Sequence, residues 1–245
     1  MAAAETLLLF LWEPKVSTSF RRFPQKFASG TNGHNGTVTL ASAWYQQGKG
    51  VSTLIGNTSD WALISYGCKD VLPIQPPQPA AIFSSPAAMS WLDQIADSNA
   101  ISSTILSVIH PHLYAVGMKA LDHLQDSPQI QRQDVLQGWN SIFSGISVIF
   151  NGTIAGHQDT QSRHHWYDLL ITLGCYQNCK LELPGAGLSL DYHPGTVVGI
   201  SGMMLEHQVS EFDGDRVAYA HFMRNNVHEW ARIPGGDWMK TEYYE

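Results

Sequence analysis

The amino-acid sequence predicts an α+β fold in which a β-sandwich or jelly-roll core carries supporting helices on one face. Short runs of β-branched and aromatic residues recur from position 146 onward, and Gly, Pro or Asp punctuates nearly every gap between them. A stretch of helical periodicity over residues 86–144 precedes that half. The 245 residues are 44% hydrophobic and 14% charged. That supplies a packed core, and charge far below the roughly 25% of average soluble domains excludes a disordered or polyelectrolyte chain. One domain over residues 1–245 is expected, with strand-rich residues 1–85, helical residues 86–144 and a β core over 145–230 that holds the site.

Residues 7–12, 37–45, 51–55 and 61–66 read as strands, and the Gly- and Asn-rich stretch 30–36 as a loop. The proline-rich segment 73–79 is an extended connector. Ser85 followed by Pro86 marks a helix start leading into residues 87–96. Ser102 and Ser103 open a second helix over 104–124, which Pro111 should kink or split, and a third short helix covers 134–143. Strands are then expected at 147–150, 169–173, 181–183, 188–192, 196–200, 203–206 and 216–223.

Net charge is −7. A broad electropositive surface is thereby excluded, and any nucleic-acid contact must rest on a local patch. Lys15, Arg21, Arg22 and Lys26, interleaved with Phe20, Phe23 and Phe27, form the one cluster suited to phosphates; a basic edge segment is its structural alternative. Three cysteines, Cys68, Cys175 and Cys179, cannot all pair, so they read as buried free thiols rather than a disulfide framework. No segment is long enough to span a bilayer, and the apolar residues 6–12 lack the flanks of a signal peptide. The chain is expected to be intracellular, without membrane contact.

The sharpest chemical signal is His157-Gln158-Asp159. On an extended segment, residues i and i+2 project to one side, so an imidazole and a carboxylate can share an ion. His207 stands 50 residues downstream. Two histidines and one carboxylate form the facial triad of non-haem Fe(II) oxygenases, with positions left open for cosubstrate and O2. Arg216 opens the next strand, and its planar guanidinium suits the far carboxylate of 2-oxoglutarate.

Five segments follow in order: Asn151-Gly-Thr-Ile-Ala-Gly-His-Gln-Asp159, Trp166-Tyr-Asp-Leu-Leu170, Leu181-Glu-Leu-Pro-Gly185, Tyr192-His-Pro-Gly-Thr-Val-Val198 and Gly214-Asp-Arg216. Together they resemble the TET/JBP family of Fe(II)/2-oxoglutarate dioxygenases, particularly its short fungal members, over roughly residues 105–230. The resemblance implies a double-stranded β-helix (jelly-roll, cupin-like) core and oxidation of a methyl group on a pyrimidine base, 5-methylcytosine or thymine, in DNA. By motif it implies Fe(II) on His157, Asp159 and His207, with 2-oxoglutarate on Arg216. A nuclear location would follow from a DNA substrate. Two departures stand out: the interval from His207 to Arg216 is shorter than in animal members, and Ala218 occupies a position where a hydroxyl or amide often assists the cosubstrate.

Residues 216, 218, 220, 222 and 224 alternate onto one face, which would bring Phe222 and Arg224 to the substrate end as stacking partner and donor for a flipped base; core packing and a rim ion pair are the alternatives. Ser162 sits where related enzymes place a polar base contact. Asn151 either binds cosubstrate or caps a turn. His110-Pro-His112 reads as a helix kink and His164-His165 as a solvated loop. Two rival functions stand beside base oxidation: the same chemistry on a small molecule or protein side chain, and a β-barrel that binds without catalysis.

Overall fold

A computed structural model of the chain describes residues 36–44 and 76–244. The basic cluster at 15–26, Cys68 and the strands expected at 7–12, 51–55 and 61–66 lie outside the described residues. Within them, five antiparallel strands form a large sheet in the order β1-β2-β9-β4-β7, and four form a smaller sheet in the order β3-β8-β5-β6. The strands are β1 (Gly36–Ala41), β2 (Gly145–Phe150), β3 (Ile154–His157), β4 (Asp168–Gln177), β5 (Lys180–Leu183), β6 (Leu188–Asp191), β7 (Val197–Ile200), β8 (His207–Val209) and β9 (Asp213–Phe222). From β3 onward the chain passes repeatedly from one sheet to the other, as a double-stranded β-helix does, and only the β5–β6 hairpin stays in one sheet.

Period-two alternation gives the large sheet two different faces. On β1 and β2, Val38, Leu40, Ile146, Val148 and Phe150 point to the helices, while Thr37, Ser147 and Ile149 line the space between the sheets. The helical layer is α1 (Pro86–Gln94), α2 (Ala96–Ile109), α3 (Pro111–Asp126) and α4 (Gln133–Gly138), followed by α5 (Asn225–Trp230) after the last strand. Trp91 of α1 stacks on Tyr219 of β9, with centroids 6.3 Å apart and planes 9° off parallel. Val38, Leu40, Leu92, Ile146 and Val148 close around that layer. A second interior cluster joins Leu181 and Val209 of the small sheet to Tyr176 of β4 and to Tyr192 and Phe212, which lie just beyond β6 and just before β9.

Several local expectations change, each for a visible reason. Ser85 precedes Pro86 at the helix start, but its side chain makes no capping bond. The second helix begins at Ala96 rather than at the serines, because Ser102, Ser103 and Thr104 donate to the carbonyls of Ser98, Asn99 and Ala100 at 2.8–2.9 Å and so sit inside it. Pro111 splits the expected long helix in two, and His110 caps the second by accepting the Leu113 N–H at 3.1 Å on Nδ1. The third helix stops at Gly138; beyond it the Trp139 indole donates to the Phe143 carbonyl at 2.8 Å and folds the apolar residues into a loop. Residues 203–206 form a turn, not a strand, closed by Leu205 N–H donating to Ser201 O at 2.9 Å. β3 has no hydrophobic period to mark it in the sequence, being four half-exposed residues interrupted by Gly156. Of the two described cysteines, Cys179 is buried as expected and Cys175 is exposed; both are free thiols.

β4 and β9 approach closely where Gly174 faces Arg216, and this requires glycine. At Gly174, with φ 128°, a Cβ would stand 2.2 Å from the Asp215 carbonyl oxygen. The helix-to-sheet layer should dominate stability. Trp91→Ala is expected to cost about 3–5 kcal/mol, read as a lowered urea midpoint; a loss below about 1 kcal/mol would mean that this contact does not anchor the layers.

Candidate active site

The β3–β8 register sets His157 opposite His207. Their ring centroids lie 4.3 Å apart, with planes inclined at 50°. Each ring is held the same way: His157 Nδ1 is 3.1 Å from the Ala155 carbonyl oxygen, and His207 Nδ1 is 3.0 Å from that of Leu205. A carbonyl only accepts, so each Nδ1 carries a proton, and when the ring is neutral Nε2 keeps its lone pair for a ligand. Burial, reinforced by His157, holds His207 below the usual imidazole range, so it is neutral at pH 7.

Asp159 is fixed by its own N–H, which donates to Gly202 O at 2.8 Å. Its Oδ1 lies 4.0 Å from His157 Nε2 and its Oδ2 3.9 Å from His207 Nε2. These separations are too long for hydrogen bonds. They approach the spacing of donors around one ion, since ligand bonds of about 2.0–2.2 Å place neighbouring donors about 3 Å apart and opposite ones at most about 4.4 Å. All three donor atoms lie within 4.8 Å of one another. The structure therefore brings together the three residues predicted as a triad, two half-buried and one buried.

They open onto a cavity of about 180 Å³ between the sheets, and Arg216 lines it as well. Arg216 is 1% exposed. Its Nε donates to Thr172 Oγ1 at 2.9 Å and one Nη to Gly152 O at 3.3 Å. Tyr192, Phe212 and Tyr176 surround the guanidinium at 5.0, 5.7 and 6.0 Å from their ring centroids. Among the described residues no carboxylate pairs with it. A buried cation without an anion is costly. Its surroundings suit an anion, and the nearby triad offers three donor atoms of the kind that hold a metal, within the same cavity. The donor set and the cation thus fit Fe(II) and 2-oxoglutarate.

Asn151 does not line the cavity. It adopts the left-handed region, with φ 49°. Its Oδ1 accepts the Arg216 N–H at 2.7 Å, and its Nδ2 donates to Asp215 Oδ1 at 3.1 Å. It is placed to hold the arginine's backbone. Thr172 faces Ala218 in the β4–β9 register, so a hydroxyl on the adjacent strand reaches Arg216.

Ser162, Phe222 and Arg224 all line the cavity. The Arg224 guanidinium sits 4.2 Å from the Phe222 ring centroid. Gly145 leaves room for that ring, since a Cβ there would come within 2.4 Å of it. Burial lowers the Arg224 pKa against the opposing pull of Asp159 and Asp168. Asp168 itself was missed by sequence reasoning. It is buried in the cavity wall, and burial, with Asp159 nearby, pushes its carboxyl well above the usual range, against the pull of Arg224 and the Gly202 amide. The available signal was an acidic residue heading the apolar run Leu169-Leu170-Ile171. His165 bonds Gly235 O at 3.2 Å, and neither it nor exposed His164 reaches the cavity.

The family model described as the Tet/JBP oxygenase domain of the 2OGFeDO superfamily matches residues 67–225. The chain belongs to this family. As a Tet/JBP oxygenase domain it is an oxidoreductase, and its superfamily implies Fe(II) and 2-oxoglutarate. The match extends further toward the N-terminus than the resemblance over 105–230. No curated protein matches the chain. A solved structure of NgTET1 in complex with 5mC DNA is similar at 16% identity and TM-score 0.48, covering 69% of this chain and 62% of that one. The chain thus spans about three-fifths of that protein. A cupin 2 conserved barrel domain protein from Salinispora arenicola is similar at 20% identity and TM-score 0.26, over 36% of this chain and 69% of that one. No helix among the described residues is long and apolar enough to cross a membrane.

Gly202 offers a direct test of the Tet/JBP triad geometry. A Cβ there would press to 2.6 Å from Asp159 Oδ2 and 2.7 Å from Asp168 Oδ2. Gly202→Ala should weaken divalent-metal affinity about tenfold or more, the effect of disturbing a ligand's supporting shell, as measured by Co(II) titration. Unchanged affinity would show that Asp159 is not a ligand.

Proposed function

We propose that this chain is an Fe(II)/2-oxoglutarate-dependent dioxygenase that oxidises a methyl group on a nucleic-acid base, 5-methylcytosine or thymine in DNA. The observation that carries the reading is Arg216, a buried guanidinium without a carboxylate partner among the described residues, in the cavity that the triad enters. His157 and His207 would hold Fe(II) through Nε2 and Asp159 through its carboxylate. Arg216 would take the far carboxylate of 2-oxoglutarate. When bound, iron and 2-oxoglutarate supply the oxidising chemistry: O2 is consumed, 2-oxoglutarate becomes succinate and CO2, and one oxygen atom goes to the substrate methyl.

The chain's own residues position the reactants. Thr172 and the aromatic rings keep the guanidinium in one place, and Asn151 fixes the backbone that bears it. Ile149, Leu170 and Ala218 line the cavity with apolar surface, which limits water. At the substrate end, the Arg224 guanidinium lies over the Phe222 ring, and this planar pair and the Ser162 hydroxyl are the groups that would stack and hydrogen-bond a flipped base. Family membership and this lining together support a base as substrate. The net charge of −7 favours the second reading, a small molecule or protein side chain.

The deciding experiment incubates the Fe(II)-loaded protein with 2-oxoglutarate and oligonucleotides bearing methylated bases, then analyses the released nucleosides by mass spectrometry. Oxidised methylpyrimidine is expected; succinate formation without it would favour the second reading. Asp159→Ala should abolish succinate production while leaving the unfolding midpoint nearly unchanged, and retention of most activity would exclude it as a ligand. Arg216→Ala should raise the 2-oxoglutarate requirement roughly tenfold to a hundredfold, the loss of charge-assisted hydrogen bonds, with metal affinity retained. An unchanged requirement would transfer the anion site to Arg224.

A further inference from the structure

Thr172 and Tyr176 both belong to β4, and both are buried. A straight strand would hold residues four apart at a separation of about 13 Å. The Tyr176 hydroxyl nevertheless lies 2.8 Å from Thr172 Oγ1, and Gly174 between them puts no side chain in its way. The same phenol donates to the Tyr192 carbonyl oxygen at 2.8 Å. Tyr192 is itself held, its N–H donating to Cys179 O at 3.0 Å. At the other end of the series, Arg216 Nε donates to Thr172 Oγ1 at 2.9 Å.

Donor counting gives this series one direction. A carbonyl only accepts, so the Tyr176 proton is committed to Tyr192. Burial pushes the Tyr176 pKa up, against the pull of its bond to Thr172 and of Arg216, and so keeps that proton in place. The Thr172 hydroxyl must then donate to the phenol oxygen, which turns one of its lone pairs toward Arg216 Nε. Successive bonds of this kind polarise and strengthen one another. The consequence falls on the guanidinium. With Nε taken, the edge that pairs Nε with an Nη is closed to a ligand. The edge formed by the two Nη groups is left for a carboxylate, although one of its N–H groups is drawn to Gly152 O at 3.3 Å. Neither Thr172 nor Tyr176 lines the cavity, whereas Arg216 does. Their reach to a bound anion therefore runs through Arg216.

We propose that Tyr176 is a positioning residue for 2-oxoglutarate: its hydroxyl, acting through Thr172, sets which edge of the Arg216 guanidinium meets the far carboxylate. This inference rests on the reading of Arg216 as the 2-oxoglutarate anchor. The hydroxyl can be removed without the ring, because Phe212 packs against Tyr176 with centroids 5.7 Å apart and would hold a phenylalanine in the same place.

The test is calorimetric titration of 2-oxoglutarate into the full chain loaded with Mn(II) in place of Fe(II), so that binding is read without turnover. Tyr176→Phe should weaken binding ~3- to 10-fold, the loss of one buried hydrogen bond. Thr172→Val should weaken it ~10-fold or more, since the bond lost there is to a charged group. Thr172→Ser, which keeps the hydroxyl, should bind close to wild type. The double variant Thr172→Val/Tyr176→Phe should bind no more weakly than Thr172→Val alone, because a residue that acts through another adds nothing once that other is gone. Mn(II) affinity should be the same in all of them. A Tyr176→Phe variant with a lowered unfolding midpoint and wild-type 2-oxoglutarate affinity overturns the inference, as does a double variant in which the two losses multiply. In both cases a weakened Arg216→Ala variant leaves the anion site standing. Wild-type affinity in Arg216→Ala overturns the reading of that arginine, and the role of Tyr176 falls with it.

Discussion

A single buried guanidinium organises this molecule. Arg216 sits on the central strand β9, between β2 and β4, almost wholly withdrawn from solvent. Desolvating such a cation would cost several kcal/mol unless its donors and its charge were met. The Thr172 hydroxyl and the Gly152 carbonyl meet two donors, and three aromatic faces meet some of the charge. What they leave open faces the cavity. The residues just after β6 and just before β9 are therefore aromatic, Tyr192 and Phe212, and Asn151 commits both ends of its amide to the segment carrying the arginine.

The same strand serves two layers because its side chains alternate. Arg216, Ala218, Ala220 and Phe222 line the cavity, while Val217 and Tyr219 pack on the helical layer. His221 also points to that layer, where its Nε2 meets Asn99 of α2 at 3.2 Å; burial pushes its pKa to about 4, so it packs as a neutral ring. A one-residue slip of β9 would exchange the two sets and put Tyr219 in the cavity. Long pairing with β4, from Leu169↔His221 to Gln177↔Asp213, holds the register against such a slip.

Features with a residue-level signature were legible in the sequence. The i, i+2 spacing of His157 and Asp159, the tract ending at His207 and the alternation from Arg216 to Arg224 all survive as geometry. Features set by tertiary context were not. Ser102 and Ser103 have the chemistry of helix starts, yet their hydroxyls bond back into a helix that packing had already extended. β3 is too short and too exposed to show a hydrophobic period; its pairing with β8 makes it a strand. Asp168 escaped notice because an acidic residue ahead of an apolar run reads as a strand boundary. Only the folded cavity leaves its oxygens without partners among the described residues.

The matched tethering of the two imidazoles has a consequence for metal competition. Both rings are oriented by carbonyls two residues back, so their donor atoms are set by local backbone. Two nitrogens and one oxygen are hospitable to any late first-row divalent ion, and Ni(II), Cu(II) and Zn(II) bind such donors as well as or better than Fe(II). A prearranged trap of this kind does not choose its element. Occupancy would follow whichever ion the surroundings supply, so chelation followed by anaerobic reloading with iron belongs in any purification that aims at turnover.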